Sequence, residues 1–377
     1  MRSTVATIDL DALAWNLSVV RARTPGKSVL AMVKANAYGH GMVTTSLALQ
    51  ALGVEMLGTA FVDEAIELRA VGITIPIMVL TPVEAHECRA AIENDLITVA
   101  CEISQVSELS RCAQEVGRTA EVHLYIDTGM HRDGFRPSHA VGAARTIGEM
   151  PGIRLTGVCT HFATADEPHS PFLREQLSTF TEVISQCEAN GSTFATIHAA
   201  NSGAMWQLDT SHFTMVRPGL SLYGYSAAGT DVMTLHPVMS LSSRVLSARR
   251  AWPGDTISYG RRHVVSRETT IVTVPIGYGD GYLRSLTGKA ECLIGGSRFP
   301  VVGTICMDEL MVDVGDSAIG LGDEVVFLGR QVGMNGRIDS IDATDLAKWA
   351  STIPYEITTS ISARVPRRYV NTKKTDV

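Results

Sequence analysis

The residues SVLAMVK at positions 28–34, MLGTA at 56–60 and IPIMVL at 75–80 are short apolar runs, separated by amphipathic segments such as VDEAIELRA at 62–70. Such runs are typical of buried parallel strands, and the segments between them have the period of crossover helices. Five further runs continue the alternation, at Leu96–Ala100, Ala120–Asp127, Leu155–His161, Thr196–Ala199 and Met215–Pro218. The eight units predict a (β/α)8 barrel, which forms its active site at the carboxyl ends of the strands.

A doubly wound open sheet is the structural alternative to this barrel. It would normally carry a glycine-rich phosphate loop after its first strand. Here that position reads KANAYGHG, at residues 34–41. The sequence therefore favours the closed barrel.

The pattern changes after about Tyr225 to short alternating segments with frequent glycines. These predict strands at Met239–Ser247, Thr269–Pro275, Ala290–Ile294, Phe299–Gly303, Leu310–Val314 and Glu324–Leu328, with a single helix at about Ser340–Ser351. We therefore predict an α/β fold in two domains. Residues 1–230 form the barrel, and residues 231–377 form a mostly β domain.

Composition excludes several classes of protein. The 377 residues are 45% hydrophobic and 19% charged, with 32 basic and 39 acidic residues and a net charge of −7, so we expect a packed globule that does not bind nucleic acid. No apolar run is long enough for a membrane helix, and the first residues lack the hydrophobic segment of a signal peptide. We expect a cytoplasmic protein without a membrane partner. The seven cysteines include no C-x-x-C pair and predict neither a disulfide framework nor a metal site.

Lys34 ends the first apolar run, where a barrel strand opens onto the active-site face. A partly desolvated lysine has a lowered pKa and can act as a nucleophilic amine or as a base. Taken alone, a lysine at a strand end more often simply extends into solvent. The residues around it decide between the two readings.

The segment VKANAYGHG around Lys34 resembles the cofactor-lysine motif of alanine racemases, and the resemblance continues through nearly the whole chain. Seven more matching segments follow in order: DTGM with Arg132, THFATAD (160–166), AANSGA (199–204), RPGLSLYG (217–224), SYG (258–260), GYGDGY (277–282) and CMD (306–308). Each motif is weak by itself, but eight in order are specific. The resemblance implies pyridoxal 5′-phosphate as cofactor.

The resemblance implies two catalytic bases. Lys34 would hold the cofactor as a Schiff base and serve as one base, and Tyr259 would be the other, reaching the substrate from the neighbouring subunit of a homodimer. Two opposed groups can remove a proton from one face of Cα and return one to the other without turning the substrate over.

The remaining cofactor contacts are implied in the same way. Arg217 would face the pyridine nitrogen and discourage its protonation, which limits side reactions, and His161 would support Arg217. The phosphate contacts would come from Tyr38, Ser202, Gly219, Leu220 and Tyr355, and Asn201 would support the same loop.

Substrate contacts are implied for Arg132, which would also touch the cofactor, and for Met307 and Tyr278. The chain departs from the family next to Arg132. Many members have a lysine where this chain has Tyr125, and small or aliphatic residues where it has His131 and Asp133. We expect Tyr125 to accept a hydrogen bond from Arg132 without neutralising it.

The expected activity is racemisation of a small amino acid, L-alanine to D-alanine, with D-alanine supply for peptidoglycan as the bacterial role. A serine or broader-specificity racemase is the near alternative. A decarboxylase of the same architecture would place an acidic residue at the pyridine nitrogen, which Arg217 argues against. A non-enzymatic cofactor-binding protein would not need the second domain.

Overall fold

The computed structural model describes residues 2–226, 235–333 and 336–371. The chain divides into two compact units. The barrel unit comprises Leu13–Ala37 and Met42–His236, and the β unit comprises the residues up to Ala12, Tyr38–Gly41 and the chain from Pro237 onward. The predicted boundary between residues 230 and 231 lies outside the described residues.

The barrel unit is built on eight parallel strands that close into a ring in chain order. They are β2 (Ser28–Met32), β3 (Met56–Thr59), β4 (Ile77–Val79), β5 (Leu96–Ala100), β6 (Ala120–Tyr125), β7 (Ile153–Cys159), β8 (Thr196–Asn201) and β9 (Met215–Arg217). Strands β3, β4 and β5 are buried along their whole length, as expected for parallel strands that are covered by helices. The predicted (β/α)8 barrel is confirmed, with all eight strands at the expected places.

Helices connect these strands. They are α1 (Leu10–Arg23), the short α2 (Lys34–Tyr38), α3 (Met42–Ala51), α4 (Val62–Ala70), α5 (Cys88–Glu93), α6 (Ile103–Val116), α7 (Pro137–Gly148), α8 (Pro171–Ala189) and α9 (Ser202–Gln207). Helix α6 shows why they form. Val106, Leu109 and Ala113 recur at helical spacing and are fully buried, and Gly117 ends the helix at φ 70°.

The β unit contains one large sheet in the order β11-β14-β17-β16-β15-β18-β10-β1-β20, with β19 paired to β18, and a separate β12-β13 pair. Its strands are β1 (Val5–Asp9), β10 (Met239–Arg244), β11 (Ser247–Ala251), β12 (Thr256–Ile257), β13 (His263–Val264), β14 (Thr269–Val274), β15 (Glu291–Ile294), β16 (Ser297–Val302), β17 (Leu310–Gly315), β18 (Glu324–Val332), β19 (Ile338–Ile341) and β20 (Arg367–Val370). The predicted mostly β second domain is confirmed.

The structure differs from the sequence prediction at the N terminus. The sequence predicts no strand at Val5–Asp9 and places these residues in the barrel domain of residues 1–230, but they form a strand that pairs antiparallel with Met239–Arg244 and parallel with Arg367–Val370. Its alternating burial suits a sheet with one covered face better than a barrel strand.

The predicted single helix of the second domain is also corrected. The described residues of this domain form two, α10 (Ala343–Ala350), which lies within the predicted range, and α11 (Pro354–Ser360). Ser351 adopts a left-handed conformation that ends α10, and Pro354 begins α11 because proline is suited to the first turn of a helix. Among the described residues, no helix combines the length and apolarity needed to cross a membrane.

Candidate active site

Lys34 follows strand β2 at the mouth of the barrel. It is accessible to solvent, yet desolvation by the surrounding protein lowers the pKa of its amine. The positive charges of Arg132 and Arg217 lower it further, while the Glu64 carboxylate acts in the opposite direction. A lysine in this environment is a better nucleophile at neutral pH than one in bulk water.

The backbone after Lys34 forms an unusual left-handed turn. Ala35, Asn36, Ala37 and Tyr38 all have φ between 52° and 55°. This conformation costs roughly 1–2 kcal/mol for each residue other than glycine. The Ala37 N–H donates to the Val33 carbonyl at 2.7 Å, and the Asn36 side chain accepts from the Met42 N–H at 2.8 Å. The strained backbone is therefore held by specific hydrogen bonds directly after Lys34.

Arg217, the last residue of β9, is buried with its guanidinium bonded only to neutral acceptors among the described residues. It donates to the His198 Nδ1 at 2.9 Å and to the carbonyls of Thr160 and Ala199 at 2.8 and 3.1 Å. His161 Nδ1 lies 3.2 Å from the same guanidinium. The expected contact between His161 and Arg217 is therefore present.

Two histidines behind Arg217 were missed by the sequence analysis. His198 Nε2 lies 2.8 Å from His123 Nδ1. Because arginine only donates, His198 accepts at Nδ1 and donates from Nε2 to His123. Burial, assisted by Arg217, lowers the pKa of His123 to about 4 and that of His161 to about 3. Arg217 thus lies against neutral imidazoles, and no motif in the sequence indicates the His123 contact.

Three predicted phosphate contacts and the supporting residue Asn201 come together after β8 and β9. The Ser202 hydroxyl accepts from the Gly219 N–H at 3.0 Å and from the Ser221 N–H at 3.2 Å. Asn201 caps α9 by accepting from the Ala204 N–H at 3.0 Å. Leu220 is buried beside them. In this structure the two N–H groups are bonded to the Ser202 hydroxyl, and the group lies at the end of the barrel where phosphate sites recur.

Arg132 has one partner beyond the expected Tyr125. Its Nε donates to the Asp133 carboxylate at 3.1 Å, an ion pair that the sequence does not indicate. Arg132 also acts on the buried Tyr125 hydroxyl, through its charge and as a side-chain hydrogen-bond donor, and lowers the pKa of that hydroxyl, but burial dominates and raises the pKa. Arg132 is therefore held by the carboxylate of its neighbour in addition to the predicted contact with Tyr125.

Tyr38 and Tyr355 lie together in the β unit, with ring centroids 5.9 Å apart. Burial raises the pKa of the Tyr38 hydroxyl far above its usual range, so it stays protonated and can donate. Gly39 follows with φ 86°, and a Cβ there would lie 2.0 Å from the Thr358 carbonyl oxygen. Glycine is therefore needed where the chain passes α11, which carries Tyr355.

The remaining predicted site residues also lie in the β unit. Tyr259 has 73% of its surface exposed, and Met307 has 51%. The Ser258 hydroxyl donates to the Thr304 carbonyl at 2.5 Å, and the Thr304 hydroxyl donates to the Tyr259 carbonyl at 2.8 Å. The Tyr278 N–H donates to the carbonyl of Cys306, the residue before Met307, at 3.0 Å. These contacts fix the loops and leave the Tyr259 phenol pointing outward from its unit.

Two family models match the chain end to end. The model described as alanine racemase, N-terminal domain, matches residues 8–227. The model described as alanine racemase, C-terminal domain, matches residues 238–369. Together they cover both units.

Individual relatives agree with these models. The chain is 40% identical to an alanine racemase of Desulfosudis oleivorans over 97% of its length and 96% of the relative. It resembles the crystal structure of alanine racemase from a D-cycloserine-producing Streptomyces lavendulae with a TM-score of 0.93 and 38% identity, covering 99% of this chain and 98% of that one. An alanine racemase from Bartonella henselae with covalently bound pyridoxal phosphate matches with a TM-score of 0.89 and 26% identity, covering 98% and 100%. The chain belongs to the alanine racemase family.

Proposed function

We propose that this chain is a pyridoxal 5′-phosphate-dependent racemase that interconverts L- and D-alanine. The observation that carries this proposal is the environment of Arg217. A buried guanidinium that is bonded only to neutral acceptors, at the same barrel mouth as a lysine of lowered pKa, suits a cofactor ring nitrogen that stays unprotonated. A decarboxylase would need an acidic residue there instead.

The residues present fit the cofactor. Lys34 supplies an amine for covalent attachment, and Arg217 supplies a permanent donor for the ring nitrogen. We assign the Ser202 hydroxyl and the Gly219 N–H, which bond to each other in this structure, to the cofactor phosphate, together with Leu220, Tyr38 and Tyr355. His161 contacts Arg217, and Asn201 caps the helix that begins at Ser202. Arg132 is assigned to both cofactor and substrate.

When bound, the cofactor withdraws electrons from the bond between the substrate Cα and its hydrogen. The protein then needs a group on each face of that carbon, one to accept the proton that leaves and the other to donate the proton that replaces it. We assign one face to the Lys34 amine and the other to the Tyr259 phenol of the second subunit. Arg132 and the backbone of Met307 orient the substrate carboxylate, and Tyr278 lines the approach for a small amino acid.

The exposure of Tyr259 supports a homodimer with shared sites. A phenol that is 73% exposed, on a loop fixed by two hydrogen bonds, is placed to enter a neighbouring molecule. We also propose that the enzyme works in the cytoplasm, where free alanine and the cofactor are available.

A substrate panel tests the activity. Purified protein loaded with pyridoxal phosphate is incubated with L-Ala, L-Ser, L-Lys or L-Arg, followed by chiral product analysis and measurement of released carbon dioxide. We expect D-alanine as the main product and no carbon dioxide. Faster turnover of serine or of a basic amino acid would reassign the substrate, and carbon dioxide release would reassign the reaction.

Solvent exchange tests the two bases. Because racemisation has an equilibrium constant of one, kcat/KM must stay equal in both directions in any variant. Exchange of the Cα hydrogen with D2O has no such constraint. We expect Tyr259→Phe to lower racemisation by 10²–10⁴-fold while exchange persists for one alanine enantiomer only. Loss of exchange for both enantiomers to the same degree would contradict opposed bases.

A further inference from the structure

Glu64 stands outside the predicted site, yet it is bonded to the backbone beside Lys34. Its Oε1 accepts from the Ala35 N–H at 2.7 Å. Its Oε2 accepts from the Ala60 N–H at 2.8 Å and from the Phe61 N–H at 3.4 Å. One half-buried carboxylate therefore joins the turn after β2 to the turn after β3.

Both oxygens of Glu64 face N–H donors, and this restricts the residue type. An ionised carboxylate only accepts hydrogen bonds, so it satisfies donors on both sides. A glutamine amide would satisfy one side and place its own N–H2 group against an N–H on the other. The geometry thus requires a carboxylate, although Glu64 is also the third residue of α4, where a glutamate normally serves only the start of its own helix.

The position of the Ala35 bond gives Glu64 a role at the site. Ala35 is the first residue of the left-handed turn, which has further anchors at Ala37 and Asn36. The carboxylate therefore fixes the backbone at the point where the Lys34 side chain departs. The charged groups around Lys34 are Arg132 after β6, Arg217 on β9 and Glu64 on α4, and Glu64 is the anion among them.

We propose that Glu64 is a positioning residue for Lys34: it holds the strained turn through the Ala35 N–H and supplies the negative charge that opposes the two arginines. The proposal rests on the proposed function, because it takes Lys34 as the site of cofactor attachment. Glu64 itself touches neither substrate nor reacting atoms in this role.

The test compares Glu64→Gln with Asp63→Asn, a matched change of charge at the exposed neighbour on the same helix. The first measurement is the dissociation constant of pyridoxal phosphate by absorbance titration. The second is the pH midpoint of the absorbance change of the bound cofactor. For Glu64→Gln we expect at least tenfold weaker cofactor binding and a lower pH midpoint, because an anion that stabilises a positive charge on the Lys34 nitrogen is gone. Asp63→Asn should stay within twofold of the wild type in binding and keep its midpoint.

A lowered melting temperature with unchanged cofactor affinity and an unchanged pH midpoint would overturn the proposal, because it would leave Glu64 only a helix cap. If Glu64→Gln does not fold, Glu64→Asp serves instead. It keeps the charge but shortens the reach, so the proposal expects weaker binding with a midpoint nearer the wild type, and wild-type binding would overturn it. Neither measurement uses alanine, so a wild-type protein that binds the cofactor but does not racemise alanine would refute the proposed function alone.

Discussion

The buried pair His123 and His198 gives the structure a specific sensitivity to acid. Burial lowers the pKa of His123 from 6.5 to about 4, with a smaller contribution from Arg217. His123→Asn removes this titrating group and keeps an oxygen that can accept the hydrogen bond from His198 Nε2. The comparison of wild type and variant therefore isolates one ionisation.

The sign and size follow from the two pKa values. As the pH falls below 6.5, the unfolded chain takes up a proton at His123 before the folded protein does, so the stability that neutral His123 contributes is lost. It is present above pH 6.5 and disappears progressively toward pH 4. Between pH 7 and pH 4.5, the wild type should lose roughly 2 kcal/mol more than the variant.

Urea unfolding followed by circular dichroism at pH 7.5, 6.5, 5.5 and 4.5 measures this difference. Above pH 7 the gap between the two proteins should be constant and reports only the packing cost of the substitution. The gap should then shift by about 2 kcal/mol in favour of His123→Asn on acidification. A difference in unfolding free energy that stays constant across the whole pH range would show that His123 is not buried as a neutral imidazole. The assigned hydrogen bonds from Arg217 to His198 and from His198 to His123 would then be wrong.

Two substitutions, one in each unit, test the contacts that stabilise the fold. Asp280 is fully buried and accepts two hydrogen bonds of 2.5 Å from Arg2. Asp280→Asn should lower the free energy of unfolding by about 2 kcal/mol, because it leaves the charge of Arg2 poorly compensated. An unchanged melting temperature would contradict this. A Cβ on Gly203 would lie 2.1 Å from the Ala165 carbonyl oxygen, so Gly203→Ala should cost about 1–3 kcal/mol and weaken cofactor binding. Its control is Gly142→Ala, a helical position with no atom within 4 Å, where alanine should stabilise slightly; equal melting temperatures for the two variants would refute the steric argument.

The local sequence was sufficient to predict the barrel. Each strand is an apolar run of a few residues and each helix has its own period, and both patterns depend on neighbours within about ten positions. Because these patterns are local, they could not predict pairing between segments that are far apart in the sequence. Strand Val5–Asp9 has no partner nearby in sequence, because it pairs with strands more than 230 residues away. Only the folded chain shows to which sheet it belongs.

For the candidate site too, the sequence could predict some features and not others. Lys34 could be singled out because it follows a predicted strand, and barrel strands all end at one face. The resemblance to a known family implied the roles of Arg217, Ser202 and Gly219. The contacts among them could not be predicted, because they depend on side-chain direction and on strand register. The register of β6 against β7 shifts between Val122 and His123, which changes the side-chain alternation from which a contact would be predicted.

The sequence by itself determined the barrel, the second sheet-rich domain and the order of the motifs, since local periodicity and turn residues act over short distances. The tertiary structure decided that Arg217 contacts neutral histidines, that Asp133 forms an ion pair with Arg132, and that Glu64 binds the turn after Lys34. These are hydrogen bonds between strand ends and loops, and their geometry exists only once the ring of strands has closed.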